Sequence, residues 1–340
     1  MKVDKLVAVF GLVLGLSVSQ GAAAQSRSAT AREAEEAIAD PNRTPFSGSV
    51  GLSTSVGSGT FIADKYSDMP RVVQSLSLSG TYRIDALPFL ALFSVSQGFS
   101  FEYTDPAART GRKWDYQDLS FGFNAPNIWY HEETGLALTT SLGVSLPTSF
   151  GSRQTNKYAG VGGGLSLGMP VGPIYAYGSL GLSKNFYRYT NVVVTQEDVT
   201  FGDEFGAYCR NGQAYCRGGP YLTSWGMRAS IGASYAIPFL ERLSTNAMLG
   251  WSTGWTFSPP EEDEFTSPLL EDGTRTRQMD FISAGLGLSY NYSQLISLSG
   301  GVNTNQPWLT SDQKGIRNPL YNKYRRSNST SLYLSLSAGF

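Results

Sequence analysis

Residues 74–84 read QSLSLSGTYRI, and the period of two in this stretch decides the fold class. Leu76, Leu78, Tyr82 and Ile84 fall on one side, and Ser75, Ser77, Ser79, Thr81 and Arg83 on the other, because successive side chains of a strand point to opposite faces. Such a strand presents hydrocarbon to one neighbour and hydroxyls to another. Residues 136–146 repeat the pattern, with Leu136, Leu138, Leu142, Val144 and Leu146 opposing Thr139, Ser141, Gly143 and Ser145. So do residues 331–340, where Leu332, Leu334, Leu336, Ala338 and Phe340 oppose Ser331, Tyr333, Ser335 and Ser337.

Working outward, the same alternation yields about twelve strands, at 46–57, 71–84, 90–103, 115–130, 135–147, 159–169, 174–190, 221–237, 242–257, 278–292, 295–308 and 327–340. An even number returns both ends of the strand series to one side. The connections alternate between long (58–70, 104–114, 148–158, 191–220, 258–277, 309–326) and short (85–89, 131–134, 170–173, 238–241, 293–294). The short ones carry turn chemistry in Leu87-Pro88, Gly172-Pro173 and Ile237-Pro238. A two-sheet sandwich has no reason to alternate so strictly, whereas a membrane barrel has tight periplasmic turns and long extracellular loops. The expected fold is therefore all-β: a transmembrane antiparallel up-and-down barrel of about twelve strands, preceded by a short N-terminal helix. In hydrocarbon every backbone polar group must be bonded internally, so the sheet has to close. Aromatics gather where girdles belong: Trp129, Tyr130, Tyr290 and Tyr292 near short turns, and Trp114, Tyr116, Tyr187, Tyr189, Trp255 and Phe257 near long loops.

The N-terminus sets the compartment. Lys2 and Lys5 precede the apolar run 6–18, and Ala22, Ala23 and Ala24 supply small residues for cleavage, which is the pattern of a secretory signal peptide over 1–24. No later apolar run approaches the length of a spanning helix. Residues 25–45 read as a periplasmic or plug segment. Within it Thr30 and Glu33 form a capping box, and Pro41 stops a helix expected near 30–39. The barrel occupies 46–340. Charged residues at 16% are few for a soluble domain, and a net charge of -1 gives no footprint for nucleic acid.

The last strand ends on Phe340. The segment SLYLSLSAGF resembles the C-terminal signature of bacterial outer-membrane β-barrel proteins. That resemblance implies a place in the bacterial outer membrane and recognition of Phe340 as an assembly signal by the barrel assembly machinery. It names a superfamily and no single family. The partners it implies are outer-membrane lipids and lipopolysaccharide. Lys323, Arg325 and Arg326 near the outer headgroup level are candidates to meet lipopolysaccharide phosphates.

Chemistry has little to work with. His131 is the sole imidazole, lies at a short turn, and has no Ser two residues away, unlike the outer-membrane phospholipases. No catalytic residue, metal site or cofactor is expected. The acidic run Glu261, Glu262, Asp263 and Glu264 reads as a solvated loop. Cys209 and Cys216, in the longest loop and an oxidising compartment, are expected to form a disulfide. The inward parity leaves a lumen of Ser, Gly and Thr with four charged exceptions, Arg83, Glu102, Asp118 and Arg228, which are the candidate pore-lining residues. The sequence thus points to an outer-membrane channel or passive transporter for small-molecule solutes. The alternative is a non-transport adhesin or receptor working through its long loops.

Overall fold

The computed structural model describes residues 45–57, 72–84, 87, 89–104, 114–195, 207–208, 215–240, 242–257, 278–293, 295–308 and 330–340. The signal peptide, the 30–39 helix, Cys209, the acidic run and Lys323, Arg325 and Arg326 lie outside the described residues.

Twelve antiparallel strands form the wall: β1 (Phe46–Gly57), β2 (Val72–Ile84), β3 (Ala91–Glu102), β5 (Leu119–His131), β6 (Leu136–Leu146), β7 (Lys157–Val171), β8 (Ile174–Tyr187), β12 (Thr223–Ala236), β13 (Leu243–Thr256), β14 (Gln278–Asn291), β15 (Ile296–Pro307) and β16 (Ser331–Gly339). Four shorter strands stand between them: β4 (Trp114–Tyr116), β9 (Asn191–Thr195), β10 (Ala207–Tyr208) and β11 (Tyr215–Tyr221). Each wall strand pairs with its sequence neighbours in the wall, and β1 pairs with β16, so the sheet closes. Closure leaves no unpaired edge, as the bilayer demands.

The seam is fixed at the C-terminus. Gly48 N donates to Phe340 O at 2.9 Å and Phe340 N donates back to Gly48 O at 3.0 Å. The Phe340 ring lies over Gly48, where a Cβ would come within 2.3 Å of the ring edge. A glycine opposite a large ring is what allows the final aromatic to lie down against the first strand.

The protein is inside out compared with a water-soluble domain. Among the described residues the buried hydrophobics are only Ala91, Ala125, Ile282 and Ala284, while Leu332, Leu334 and Leu336 stand exposed on the convex face. Register carries this face around the wall: Leu52 sits beside both Leu336 and Leu76, and Leu298 beside Leu336. With no apolar core among the described residues, the closed hydrogen-bonded ladder holds the wall, and the apolar convex face is of the kind that lipid covers.

Strand boundaries follow the sequence expectation within a few residues, with two differences. The segment expected as one strand over 115–130 is split into β4 and β5 at Gln117 and Asp118. There side chains replace ladder partners: Gln97 Nε2 donates to Gln117 O at 2.7 Å, and Leu119 N donates to Thr148 Oγ1 at 2.7 Å. Within β5 the register shifts between Ala125 and Trp129, where Pro126 has no N–H to give and Asn127 takes a positive φ of 51°. The second difference lies in the long loops. The 148–158 loop holds a short helix, α1 (Phe150–Gln154), and the 191–220 loop holds the separate sheet β10-β11-β9.

Candidate functional site: the lumen

The inward rows can be read across the wall from the pairing register. Ser53, Ser75, Ser100 and Ser335 share one row, and Ser49, Ser79 and Ser96 another. On the far side Ser166 meets Ser179, which meets Ser230. Serine is short enough to leave the middle open, and its hydroxyl can bond sideways rather than inward. The Oγ atoms of Ser49 and Ser79 lie 2.7 Å apart, those of Ser179 and Ser230 2.7 Å, and those of Ser297 and Ser337 2.6 Å. These bonds stitch neighbouring strands on the wet face, the cross-strand counterpart of the backbone ladder.

Tyrosines share this face with glycines. A Cβ on Gly232 would meet the Tyr177 ring at 2.4 Å, one on Gly168 the Tyr175 hydroxyl at 2.0 Å, and one on Gly287 the Tyr333 hydroxyl at 2.5 Å. Tyr175 and Tyr177 thus lie over a glycine of the adjacent strand, and Tyr333 reaches across Gly301 of the adjacent β15 to Gly287 on β14, so the rings lie against the wall instead of crossing the lumen. Sequence parity placed Tyr333 inward; the roles of Tyr175 and Tyr177 depend on which glycine lies next door, which no single strand shows. Tyr187, expected in the outer aromatic girdle, is on an inward row opposite Lys157. Trp129, by contrast, pairs with Leu138 on the lipid face.

All four sequence-selected charges have inward parity, but they form no ring. Arg83 is one residue from the short-turn end of β2 and is buried, and its N–H donates to Pro45 O at 2.7 Å. Glu102 ends β3 opposite Val73 and accepts from Thr104 Oγ1 at 3.1 Å. Ten residues of strand separate the levels of Arg83 and Val73, roughly 33 Å along the chain.

Asp118 sits at the long-loop rim and gathers the 148–158 loop around itself. Its carboxylate accepts from Ser149 N at 3.0 Å, Ser152 Oγ at 2.6 Å and Lys157 Nζ at 3.0 Å, and Lys157 Nζ also reaches Ser145 Oγ at 3.3 Å. Ser149 caps α1 by accepting from Ser152 N at 3.1 Å. Burial acts to raise the Asp118 carboxyl, and the hydrogen bonds from Ser152, Ser149 and Lys157 outweigh it, so the group is held below its ordinary range. Asp118 and Lys157 thus neutralise one another and tether α1 to the inner side of the mouth. Lys157 escaped the sequence reading because a register shift between Lys157 and Ala159 breaks the period at the start of β7.

Arg228 is different. It lies on β12, five residues from Thr223 and eight from Ala236, and is exposed on the inward row. Its cross-strand partners are Gly181 on β8 and Ser252 on β13. Among the described residues it is the one inward cation in the middle of a wall strand; the inward carboxylate Asp115 pairs with Ser100, two residues from the long-loop end of β3. The wall order puts β12 six strands from β2 in either direction, so Arg228 faces the serine rows of β2 across the barrel.

One lysine falls on the opposite, lipid-facing side. Lys184 pairs with Trp225, its Nζ lies 4.8 Å from the Trp225 ring centre and 5.5 Å from that of Phe257, and it hydrogen-bonds Ser224. Aromatic faces and a hydroxyl are what let an ammonium sit at the edge of hydrocarbon. His131, at the end of β5, places Nδ1 3.1 Å from Thr134 Oγ1 within its turn. Among the described residues no group of three or more His, Cys, Asp or Glu side chains is placed to hold a metal ion.

The described strands form a closed antiparallel barrel of twelve strands, apolar outside and hydroxyl-lined inside, which is the fold of outer-membrane β-barrels. No protein-family model matches the chain, and no curated protein matches it in sequence. Solved structures do. An outer membrane channel from Pseudomonas putida F1 superposes with a TM-score of 0.51 at 12% identity, over 89% of this chain and 98% of that one. The NanC porin aligns over 85% of this chain and 98% of its own, with a TM-score of 0.43 and 9% identity. At these identities the likeness is one of fold.

Proposed function

We propose that the protein is a passive outer-membrane channel for small solutes. The observation that carries this reading is the small, hydroxyl-rich lining of the interior. Among the described residues the one large side chain that is fully buried is Gln306, on a row that alternates with the inward one, and the inward rows are mostly serine, glycine and asparagine, with tyrosines laid against the wall and Leu92, Met248 and Phe281 among the larger apolar exceptions. A barrel whose interior served only as a core would fill it with packed side chains. Purified protein in planar bilayers should give discrete, voltage-stable conductance steps. A correctly folded, heat-modifiable protein that never conducts would overturn the proposal.

A second reading has its own support, the three-stranded sheet β10-β11-β9 within the 191–220 loop. A folded sheet beyond the long-loop rim is a surface on which a receptor or adhesin can act, and a Cys209–Cys216 disulfide would brace it. In that case deletion of the sheet abolishes binding to a host or cell surface and leaves the wall intact.

A further inference from the structure

The sign of the charge in mid-lumen names the solutes that this channel favours. We infer that Arg228 makes the channel selective for small anions bearing a carboxylate or phosphate; the inference rests on the channel reading above. The argument starts from what surrounds the guanidinium. Along its own strand the inward neighbours are Gly226 and Ser230, and directly across lie Gly181 and Ser252. The next inward positions on those two strands are again Ser or Gly. None of these groups is anionic, and the inward carboxylates of the described residues, Glu102, Asp115 and Asp118, lie at or within two residues of the long-loop end of β3 or at the break before β5.

The other lumen charges are accounted for elsewhere. Asp118 and Lys157 form a pair at the rim. Glu102 is at the long-loop end of its strand, Asp115 pairs with Ser100 two residues from that end, and Arg83 is at the short-turn end of its own strand. A permeating ion therefore meets one fixed mid-lumen charge among the described groups, and it is positive. Low-dielectric walls focus the field of such a charge along the water path, which raises the local concentration of anions and lowers that of cations.

The chemistry around it fits an oxyanion better than a bare halide. A guanidinium offers a planar fork of N–H donors that matches two oxygens of a carboxylate or phosphate. Serine hydroxyls are rotatable donors. The Ser230 Oγ already lies 2.7 Å from Ser179 Oγ, and Ser183 Oγ donates to Gly226 O at 3.3 Å, so hydroxyls flank the guanidinium on its own wall. Gly181 and Gly226 keep the wall low beside the arginine, with no side chain to screen the fork. An anion can rest there through two or three hydrogen bonds and leave again, because the one inward cation of β2 among the described residues, Arg83, lies at the short-turn end of that strand.

The experiment is a reversal-potential measurement on the full-length protein in planar bilayers under a KCl gradient, with acetate, inorganic phosphate and a neutral sugar as probes. The wild type should favour chloride over potassium. The preference should grow as salt is lowered, because the Debye length lengthens from about 10 Å at 0.1 M to about 30 Å at 0.01 M. Arg228→Gln should cut the reversal potential by about half or more, and Arg228→Glu should reverse its sign. Arg228→Lys should keep the sign but weaken the block of chloride current by phosphate, since the fork is lost and the charge is not. Heat-modifiability of each variant confirms that the wall is folded. Unchanged selectivity in folded Arg228→Gln, or a wild-type channel that conducts without anion preference, overturns the inference and leaves the channel standing. Absence of conductance in the wild type overturns the channel reading, and the inference falls with it.

Discussion

The two rims of the barrel are built from the same twelve strands and obey different rules. At the short-turn rim, β7 and β8 are joined through Gly172 and Pro173, with Gly172 at φ 60°, and β5 and β6 turn at Gly135, with φ 67°. The chain reverses within a few residues, and local backbone preference settles the geometry. At the long-loop rim the organising contacts are distant in sequence. Asp118 is bonded to residues 31, 34 and 39 positions away. Apart from Arg242 Nη1, which donates to Tyr292 O at 3.1 Å, the short-turn rim is made by turns and the long-loop rim by side chains that cross between strands.

The largest test of this contrast is sidedness. In a chain with Cys209 and Cys216 replaced by Ser, Arg153→Cys on α1 should label fully with an impermeant maleimide on intact cells. Glu133→Cys, exposed in the turn between β5 and β6, should label only after the outer membrane is breached. The reverse pattern, or equal labelling of both, would place the rims on the wrong sides of the membrane.

A pair of glycines sharpens the comparison energetically. Gly135 combines a positive φ with crowding, since an added Cβ would lie 2.8 Å from the Pro170 ring. Gly135→Ala should cost about 1–3 kcal/mol in urea unfolding from detergent, combining backbone strain with overpacking. Gly151 lies in α1 with nothing within 4 Å of an added Cβ. There alanine should be neutral or stabilise the helix by up to about 1 kcal/mol. If the two changes act alike, local backbone preference does not separate the rims.

The same contrast explains what the sequence discloses. Alternation in 74–84, 136–146 and 331–340 depends only on each strand's own residues, so the lipid and lumen faces are readable from parity. The inward position of Arg228 is readable for the same reason, because β12 keeps its period past the Thr223–Trp225 shift. Its isolation is not, because that depends on Gly181, 47 residues before it in the chain, and Ser252, 24 residues after it. Asp118 is the converse case. Parity points it inward, yet the loop between β6 and β7 folds onto it and gives it a tethering role. Lys184 was missed because sequence parity takes the outer face as apolar. Only the neighbouring Trp225 and Phe257 rings show why a cation is tolerated there.

The smallest expected effect is also the one that isolates the long-loop rim. The folded-state pKa of Asp118 lies below its unfolded value of about 3.9, so the ionised carboxylate stabilises the rim above that value and the contribution is lost as pH falls through the folded pKa. Between pH 5 and pH 8 (roughly the plateau that this sign predicts) α1 should not loosen at all. Below about pH 4 the amides of Ser149 and Ser152 should lose protection in hydrogen exchange, once corrected for the intrinsic rate, while those of Thr139 and Ser141 in the wall should not. Asp118→Asn should reproduce the loosening at neutral pH, because an amide oxygen still accepts from Ser149 N but leaves Lys157 without its counter-charge. The turn at Gly135, set by backbone conformation, should show no matching transition. Equal protection of Ser152 in Asp118→Asn and the parent at pH 7 would mean that α1 is held by its own cap at Ser149, and that the two rims are more alike than their contacts suggest.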